Sequence, residues 1–363
     1  MCQEKNKKDN LLQGYRAIAC LMVYFSHAFG MYGLPIEEQQ LIDIGNSLFH
    51  LLYDGSIAVK MFWVLGGYLA ASSFKKYTLK DYIYYILKKL LRLYPMYFIS
   101  LLFGMILCNI RIHSDLNMIT DWGKQFWNTS VSVQEILKQL VFRGNPNSIN
   151  PPTWTMKYEV CMVFVLPIII MILATVKRTN LVGIIIIVAS MICGWKFQIS
   201  ELDVLVIFMF GVMWKENENG IAYAFHKWYK YRWGIVILFI LILDCRNIHW
   251  QGWSIPVSNL VEYMTAFGVL GLLISVKNKY ISPKVIGRNV LTFIGNISYE
   301  IYLLHFLILL SMRCYIINEW MRFLVTMTAL IITVGVSYVL KKVNDRIYIK
   351  SIRILKFFIW RVT

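Results

Sequence analysis

The class of this chain is set by one stretch, GYRAIACLMVYFSH (residues 14–27), in which an arginine and a histidine lie in an otherwise apolar run. The run belongs to an apolar block at about 11–33, which is long enough to cross a bilayer as a helix. An ionisable side chain inside hydrocarbon costs at least a few kcal/mol, so such residues are functional candidates by default. Arg16 and His27 are therefore the first candidates for a functional site.

The composition indicates a membrane protein rather than a soluble one. Of the 363 residues, 58% are hydrophobic and 16% are charged, whereas a soluble domain is about half apolar and about a quarter charged. The mean hydropathy is +0.56, and the apolar residues come in long blocks. We predict an all-α fold, a polytopic integral membrane helical bundle of about ten transmembrane helices.

Ten apolar blocks qualify as membrane spans. They lie at approximately 11–33, 55–74, 92–110, 154–175, 180–197, 202–214, 233–245, 256–275, 290–312 and 321–340. Lys and Arg concentrate in the N-terminus, in every second connection and in the tail, whereas the first opposite connection holds Glu37, Glu38 and Asp43. Because cytoplasmic loops are rich in Lys and Arg, both termini are predicted to be cytoplasmic in a multi-pass protein of the inner or plasma membrane.

The formal net charge of +17 follows from the same distribution of Lys and Arg. No aromatic-basic recognition motif accompanies these cations, so we expect membrane lipids and no nucleic acid as their partners. We divide the chain into a membrane domain (1–345) and a basic amphipathic cytoplasmic tail (346–363) that lies on lipid phosphates. The seven cysteines form no CxxC pair, so no metal site is expected.

Helix geometry places Arg16 and His27 on one face of the first span. Eleven residues correspond to about 16 Å of rise and about 1100° of rotation, which leaves the two residues within ~20° of each other. With the N-terminus inside, the arginine lies near the cytoplasmic end and the histidine in the outer half. The alternatives are a snorkelling arginine and an interfacial histidine that is hydrogen-bonded to a neighbour.

Four further polar or aromatic residues lie at predicted membrane boundaries. Arg92 and Tyr94 precede Pro95 at the inner surface, where Arg92 alternatively anchors lipid phosphates. Trp154 and Glu159 enter the membrane from outside, where Glu159 alternatively stays hydrated among the headgroups. The connection before them, at about 111–153, is polar and is expected to be a structured outer element.

The ninth span carries a polar stripe. Ser298, Tyr302 and His305 are spaced by four and three residues, so they share one helix face. His305 falls in the middle of the span, and the alternative for it is a structural histidine bonded across helices. Glu300 lies off this stripe and receives no role.

One type of reaction fits this arrangement, in which arginines lie near the inner face and a histidine lies further out. An anionic cofactor docks its phosphates on Arg16 and Arg92 at the inner face. A histidine further out acts as general base toward a hydroxyl acceptor, and a carboxylate such as Glu159 orients the imidazole. Histidine supplies a suitable pKa with little tuning.

Five motifs in order resemble the acyltransferase-three family of integral membrane acyltransferases. They are LQGYRAIACLMVYFSH (12–27), FWVLGGYL (62–69), LLRLYPMY (90–97), WTMKYE (154–159) and ISYEIYLLH (297–305). Two positions depart from the family pattern. Gly66 stands where the family usually has serine, and Tyr15 stands where leucine is commoner.

The resemblance implies an O-acyltransferase, usually moving acetyl from cytoplasmic acetyl-CoA to a hydroxyl of a cell-envelope polysaccharide. Acetyl-CoA, or another acyl-CoA, is then the donor substrate, the glycan is the acceptor, and no metal is needed. The expected roles fall into three groups: catalytic residues His27, Glu159 and His305; donor-binding residues Arg16, Arg92 and Tyr94; acceptor-binding residues Trp154, Ser298 and Tyr302.

Two other functions are compatible with intramembrane charges. A proton-coupled transporter or flippase of a glycan or small anion also needs His, Glu and Arg inside the membrane. The chain has no internal repeat of the kind that many transporters show. A membrane scaffold is the third reading, in which none of these polar residues has a chemical role.

Overall fold

The apolar blocks are helical in the computed structural model, which describes residues 2–33, 48–74, 78–111, 116, 118–245, 255–282, 284 and 286–361. Glu37, Glu38 and Asp43 of the first connection, and the last two residues of the tail, lie outside this range. Within it, the secondary structure is helical, with no strand. Helices are the expected result, because inside lipid every backbone N–H and C=O has to be satisfied within the chain.

The described residues form fifteen α-helices. They are α1 (Cys2–Tyr32), α2 (Gly55–Ser73), α3 (Leu79–Arg111), α4 (Asp121–Lys124), α5 (Val133–Leu140), α6 (Pro146–Ile149), α7 (Trp154–Thr175), α8 (Thr179–Phe197), α9 (Ser200–Glu216), α10 (Glu218–Lys227), α11 (Arg232–Asp244), α12 (Ile255–Lys277), α13 (Asn289–Asn296), α14 (Ser298–Met312) and α15 (Glu319–Arg361).

Each of the ten predicted spans falls on one of these helices or, for the ninth, on α13 and α14 together. Among the described residues, six helices are long and apolar enough to cross a membrane, and a seventh span results if α13 and α14 count as one. The six are α2, α3, α7, α8, α12 and α15. The class of helical membrane protein is confirmed, while the count of ten crossings and the cytoplasmic termini stay predictions.

Helix α11 has 13 residues, or about 20 Å, which is less than the hydrocarbon core of a typical bilayer.

The helices group into two compact units. The first contains residues 1–19, 56–83 and 161–295, and the second contains residues 20–55, 84–160 and 296–363. Helix α1 contributes its start to the first unit and its C-terminal half to the second.

In the first unit, helices pack through small residues. A Cβ atom on Gly67 of α2 would collide with the carbonyl oxygen of Phe208 in α9, and one on Gly211 would collide with the carbonyl oxygen of Val64. The two backbones therefore touch, as small residues allow in membrane helices. Packing also explains the glycine at position 66, since a Cβ atom there would lie 2.6 Å from the ring of Phe208.

In the second unit, α14 is the central helix. Its side chains are buried on nearly every side, which is typical of a helix that is apolar all round. Two tyrosines attach the C-terminal half of α1 to α14 and α15. The Tyr32 hydroxyl donates to the carbonyl oxygen of Leu309 in α14, and the Tyr24 hydroxyl donates to that of Thr326 in α15, each at 2.6 Å.

The predicted tail continues the last helix without a break, since α15 runs from Glu319 to Arg361. Its basic side chains Arg346, Lys350, Arg353 and Lys356 are exposed. Ile349, Ile354 and Phe357 are exposed beside them. This mixture of cations and large apolar groups suits a membrane surface, and the surface location of the tail stays a prediction.

The contact between α2 and α9 predicts a position-dependent effect of one substitution. Gly67→Ala and Gly211→Ala should each lower the thermal unfolding temperature, because the new methyl group forces two backbones apart, at a cost of about 1–3 kcal/mol. Gly234→Ala in α11 is the matched control. Its new methyl group meets no atom within 4 Å, and alanine favours a helix over glycine.

The measurement is intrinsic fluorescence of the purified full chain during heating. Equal unfolding temperatures for Gly67→Ala, Gly211→Ala and Gly234→Ala would show that the two backbones do not touch.

Candidate active site

The structure pairs two histidines that lie 278 residues apart in sequence. Nδ1 of His27 lies 2.8 Å from Nε2 of His305, and the two rings are nearly parallel, with centroids 5.1 Å apart. His27 lies on the C-terminal half of α1 and is half-buried, and His305 is buried in the middle of α14. Both belong to the second unit. Two of the predicted catalytic residues are thus in direct contact.

A backbone carbonyl fixes the direction of this hydrogen bond. Nδ1 of His305 lies 3.1 Å from the carbonyl oxygen of Ile301, one turn earlier on α14. A carbonyl oxygen only accepts, so in the neutral imidazole Nδ1 of His305 carries the proton and its Nε2 is an acceptor. His27 then donates from Nδ1, and its own Nε2 is left with a lone pair. This tautomer, assigned from the hydrogen bonds, presents a base at Nε2 of His27.

Aromatic rings enclose the His27 imidazole. The ring of Trp122 is parallel to it, with centroids 6.1 Å apart, and the ring of Phe306 meets it edge-on at 5.0 Å. Phe126 contacts both of these rings, at 4.9 and 5.1 Å between centroids. These rings limit the access of water to His27, while Trp122 itself remains 37% exposed.

Two polar anchors hold the segment that carries Trp122. The Thr120 hydroxyl, which accepts from the backbone N–H of Gly123 at the start of α4, lies 2.7 Å from the carbonyl oxygen of Gly30 in α1. The buried guanidinium of Arg313 donates from Nη1 to the carbonyl oxygens of Gly123 and Phe126, at 3.0 and 2.8 Å. Trp122 is therefore positioned from both ends of α4.

The polar stripe on α14 faces residues of the segment that leads into α7. The Tyr302 hydroxyl lies 2.9 Å from the Thr155 hydroxyl and donates to the carbonyl oxygen of Pro152 at 3.0 Å. The Tyr302 ring lies 5.9 Å from that of His305. Ser298 is completely buried, and its hydroxyl has no hydrogen-bond partner among the described residues.

The predicted donor-binding residues divide between the two units. Arg92 is exposed on α3, and Tyr94 packs its ring against Tyr97 and Phe142. The Tyr299 hydroxyl donates to the carbonyl oxygen of Leu93 at 2.7 Å, which joins the third-helix motif to α14. Arg16 is half-buried on α1 and belongs to the first unit, so its role in donor binding stays a prediction.

Glu159 takes a different place from the one we expected. The hydrogen-bond partner of His27 is His305, so the orienting contact is made by an imidazole rather than by this carboxylate. Glu159 instead lies within electrostatic range of the Tyr299 and Tyr302 hydroxyls, and Arg92 lies within range of Tyr299. Trp154, at the start of α7, is 46% exposed and packs edge-on against Tyr158.

Sequence patterns missed several residues of the site. Trp122 and Arg313 lie outside the quoted motifs, and only the expectation of a structured connection at about 111–153 pointed toward Trp122. Glu300, which received no role, is buried and accepts a hydrogen bond from the Asn344 amide at 3.2 Å. No three His, Cys, Asp or Glu side chains of the described ranges converge on a possible metal position.

Comparison with known proteins gives one match. The model of an acyltransferase domain, that of the acyltransferase-three family, matches residues 10–342. The matched region contains all five motifs and both histidines of the pair. No curated protein and no solved structure matches the chain.

The double contact of Arg313 predicts a large loss of stability when it is removed. Arg313→Met should lower the unfolding temperature of the full chain, because two buried carbonyl oxygens lose their donor at about 1–3 kcal/mol each. Arg313→Lys should lie between methionine and wild type, since an ammonium lacks the planar fork of the guanidinium.

The matched control is Arg288→Met, which removes an exposed arginine of the first unit. If Arg313→Met and Arg288→Met unfold at the wild-type temperature, then Arg313 does not hold the segment that carries Trp122.

Proposed function

We propose that this chain, which belongs to the acyltransferase-three family, is an O-acyltransferase. In this proposal it moves an acyl group from cytoplasmic acyl-CoA to a hydroxyl of a cell-envelope glycan, and the acyl group is acetyl in the simplest case. That it is a membrane acyltransferase follows from the family and from its apolar helices. The identity of the donor, the acceptor and the base belongs to the proposal. The observation that supports it most is the hydrogen bond between His27 and His305, with its direction fixed by Ile301.

In the proposed reaction His27 is the general base. Its Nε2 takes the proton of the acceptor hydroxyl while the hydroxyl oxygen attacks the thioester carbonyl carbon. A C–O bond forms and the C–S bond breaks. CoA leaves as a thiolate and takes the proton from His27, so the enzyme returns to its starting state.

His305 is the partner that keeps His27 in the productive tautomer. When His27 becomes an imidazolium, its Nδ1–H donates more strongly to Nε2 of His305, which stabilises the cation. A triad uses a carboxylate for this purpose. Here a neutral imidazole does so, and Ile301 holds that imidazole in place through Nδ1.

We assign the donor to the end of the second unit that carries Arg92. Its guanidinium is exposed, and guanidinium groups bind phosphate oxygens in bidentate pairs. Tyr94 lies two residues along α3. Arg16, which lies in the first unit, stays a predicted donor-binding residue. Trp154, Ser298 and Tyr302 are proposed to contact the acceptor, and Glu159 is proposed to bias the Tyr299 and Tyr302 hydroxyls beside the reaction centre.

Removal of the base predicts loss of the reaction without loss of the protein. His27→Ala should reduce CoA release from acetyl-CoA by about 100-fold or more, which is the usual contribution of a general base. His305→Ala should cause a smaller loss, because His27 keeps its Nε2 and loses only its positioning partner. His226→Ala, which removes an exposed histidine of α10, is the control and should match wild type.

The assay follows the free thiol of CoA in membranes that contain the full chain, together with the O-acetyl signals of surface glycans by NMR. CoA release by His27→Ala at the wild-type rate would refute the role of His27. No CoA release by the wild-type chain with any acceptor extract, combined with accumulation of labelled glycan or anion in vesicles, would favour a transporter.

The donor assignment predicts an effect on one Michaelis constant. Arg92→Ala should raise the KM for acetyl-CoA by about tenfold, because a charge-assisted hydrogen bond to phosphate is lost, while the KM for the acceptor stays within about twofold. Arg92→Lys should recover part of the loss.

Lys88→Ala is the matched control, since Lys88 is exposed one turn earlier on the same helix face. A residue that only anchors lipid phosphates would behave like Lys88. Equal effects of Arg92→Ala and Lys88→Ala on the KM for acetyl-CoA would therefore contradict the donor role.

A further inference from the structure

A cavity of about 410 Å³ opens beside the C-terminal half of α1. Ser26, Phe29, Gly30 and Gly33 line one side of it. Their spacing of three, one and three residues places them on one stripe of the helix. The cavity has the size of the sites that bind small molecules, which are about 300–1,000 Å³.

The opposite side of the cavity is formed by the turn that leads into α2. It contributes His50, Tyr53 and Asp54. The Tyr53 ring meets that of Phe29 edge-on, with centroids 5.3 Å apart. Partial burial raises the pKa of the Tyr53 phenol. A phenol is protonated at neutral pH even at its ordinary pKa, and its hydroxyl can donate a hydrogen bond.

The lining combines two aromatic rings with a hydroxyl, an imidazole, a phenol and a carboxylate. A pyranose ring has the complementary chemistry: apolar C–H faces that pack on aromatic rings, and a rim of hydroxyls that donate to a carboxylate and accept from a phenol. The cavity does not suit the phosphates of CoA, because Asp54 would repel them at close range. Its chemistry is that of a neutral, hydroxyl-rich ligand.

The cavity lies close to the histidine pair. Ser26 precedes His27 on α1, so the two residues differ in depth by about 1.5 Å. Gly30, which lines the cavity, also packs against Trp122, since a Cβ on Gly30 would lie 3.3 Å from the indole. Trp122 in turn lies parallel to the His27 ring. A ligand in the cavity would thus contact the face of α1 that adjoins the face of the proposed base, His27.

We propose that this cavity is an acceptor subsite that binds one neutral pyranose unit of the glycan, with Tyr53 and Phe29 against the sugar ring and Asp54 accepting from its hydroxyls. This inference rests on the proposed function, because it names the part of the acceptor that lies next to His27. The residues of the cavity come from α1 and the turn before α2, and all of them except Ser26 lie outside the motifs that suggested the family.

Saturation-transfer NMR on the full chain tests the subsite directly. The chain is reconstituted in lipid nanodiscs without any alkyl glycoside detergent, since such detergents carry a sugar that would compete. The probes are methyl β-D-glucopyranoside, methyl α-D-mannopyranoside, methyl β-D-glucuronide and the acyclic polyol sorbitol. Release of CoA from acetyl-CoA is measured on the same samples.

The expected result is transfer to the ring protons of at least one neutral glycoside, with little or none to sorbitol, which has hydroxyls but no rigid apolar face. Tyr53→Ala and Asp54→Asn should each weaken binding of that glycoside by about tenfold. Tyr223→Ala, which removes an exposed tyrosine of α10, should bind it as the wild type does. Thermal unfolding of each variant reports whether it is folded.

Three results would overturn the subsite: no transfer to either neutral glycoside, unchanged binding in both Tyr53→Ala and Asp54→Asn, or stronger binding of the glucuronide than of the neutral sugars. The proposed function fails separately. Sugar binding that Tyr53→Ala abolishes, in a protein that never releases CoA, would retain the sugar subsite and reject the acyltransfer assignment.

Discussion

The hydrogen bond between His27 and His305 is the constraint on which the rest of the second unit depends. It joins the first helix to a residue that lies 278 positions later in the sequence. The two imidazole rings have to be nearly parallel for the two nitrogens to meet. The tyrosines at 24 and 32 hold the same half of α1 against α14 and α15, so the two imidazoles meet without help from a flexible loop. Rigid helices on both sides are what a site needs when a proton has to move between fixed atoms.

Tyrosine hydroxyls provide many of the polar connections between the described helices. Inside lipid the hydrophobic effect does not drive helices together, because the acyl chains are as apolar as the side chains. Close packing of small residues and hydrogen bonds therefore determine which helices associate. In this chain the phenol repeatedly donates to a backbone carbonyl oxygen of a distant segment. The donors are Tyr15, Tyr24, Tyr32, Tyr97, Tyr299 and Tyr302. Tyr15, which departs from the family pattern, is one of them, and its bond to Leu273 gives that departure a structural reason.

The class of fold and the stripe on α14 were predictable from the sequence, because both follow from local periodicity. Long apolar blocks have few alternatives to membrane helices, and a spacing of four and three residues places Ser298, Tyr302 and His305 on one face in any helix. The partner of His27 was not predictable in this way. A carboxylate at position 159 and an imidazole at position 305 were both suitable by chemistry, and only the packing of α1 against α14 selects the imidazole. The roles of Arg313 and Trp122 were not predictable for the same reason, since they come from contacts between segments that the sequence does not relate.

The most direct test of the account is nitrogen NMR of the full chain with ¹⁵N-labelled histidine in lipid. The chain has six histidines, and the account predicts one ¹⁵N–¹⁵N coupling across a hydrogen bond, between Nδ1 of His27 and Nε2 of His305. The coupling should vanish in His27→Ala and in His305→Ala, and acetyl-CoA with acceptor should shift these two resonances while the imidazole of His226, which is exposed on α10, stays unchanged. Six uncoupled imidazoles, or a coupling that survives either substitution, would contradict the histidine pair as the centre of the reaction.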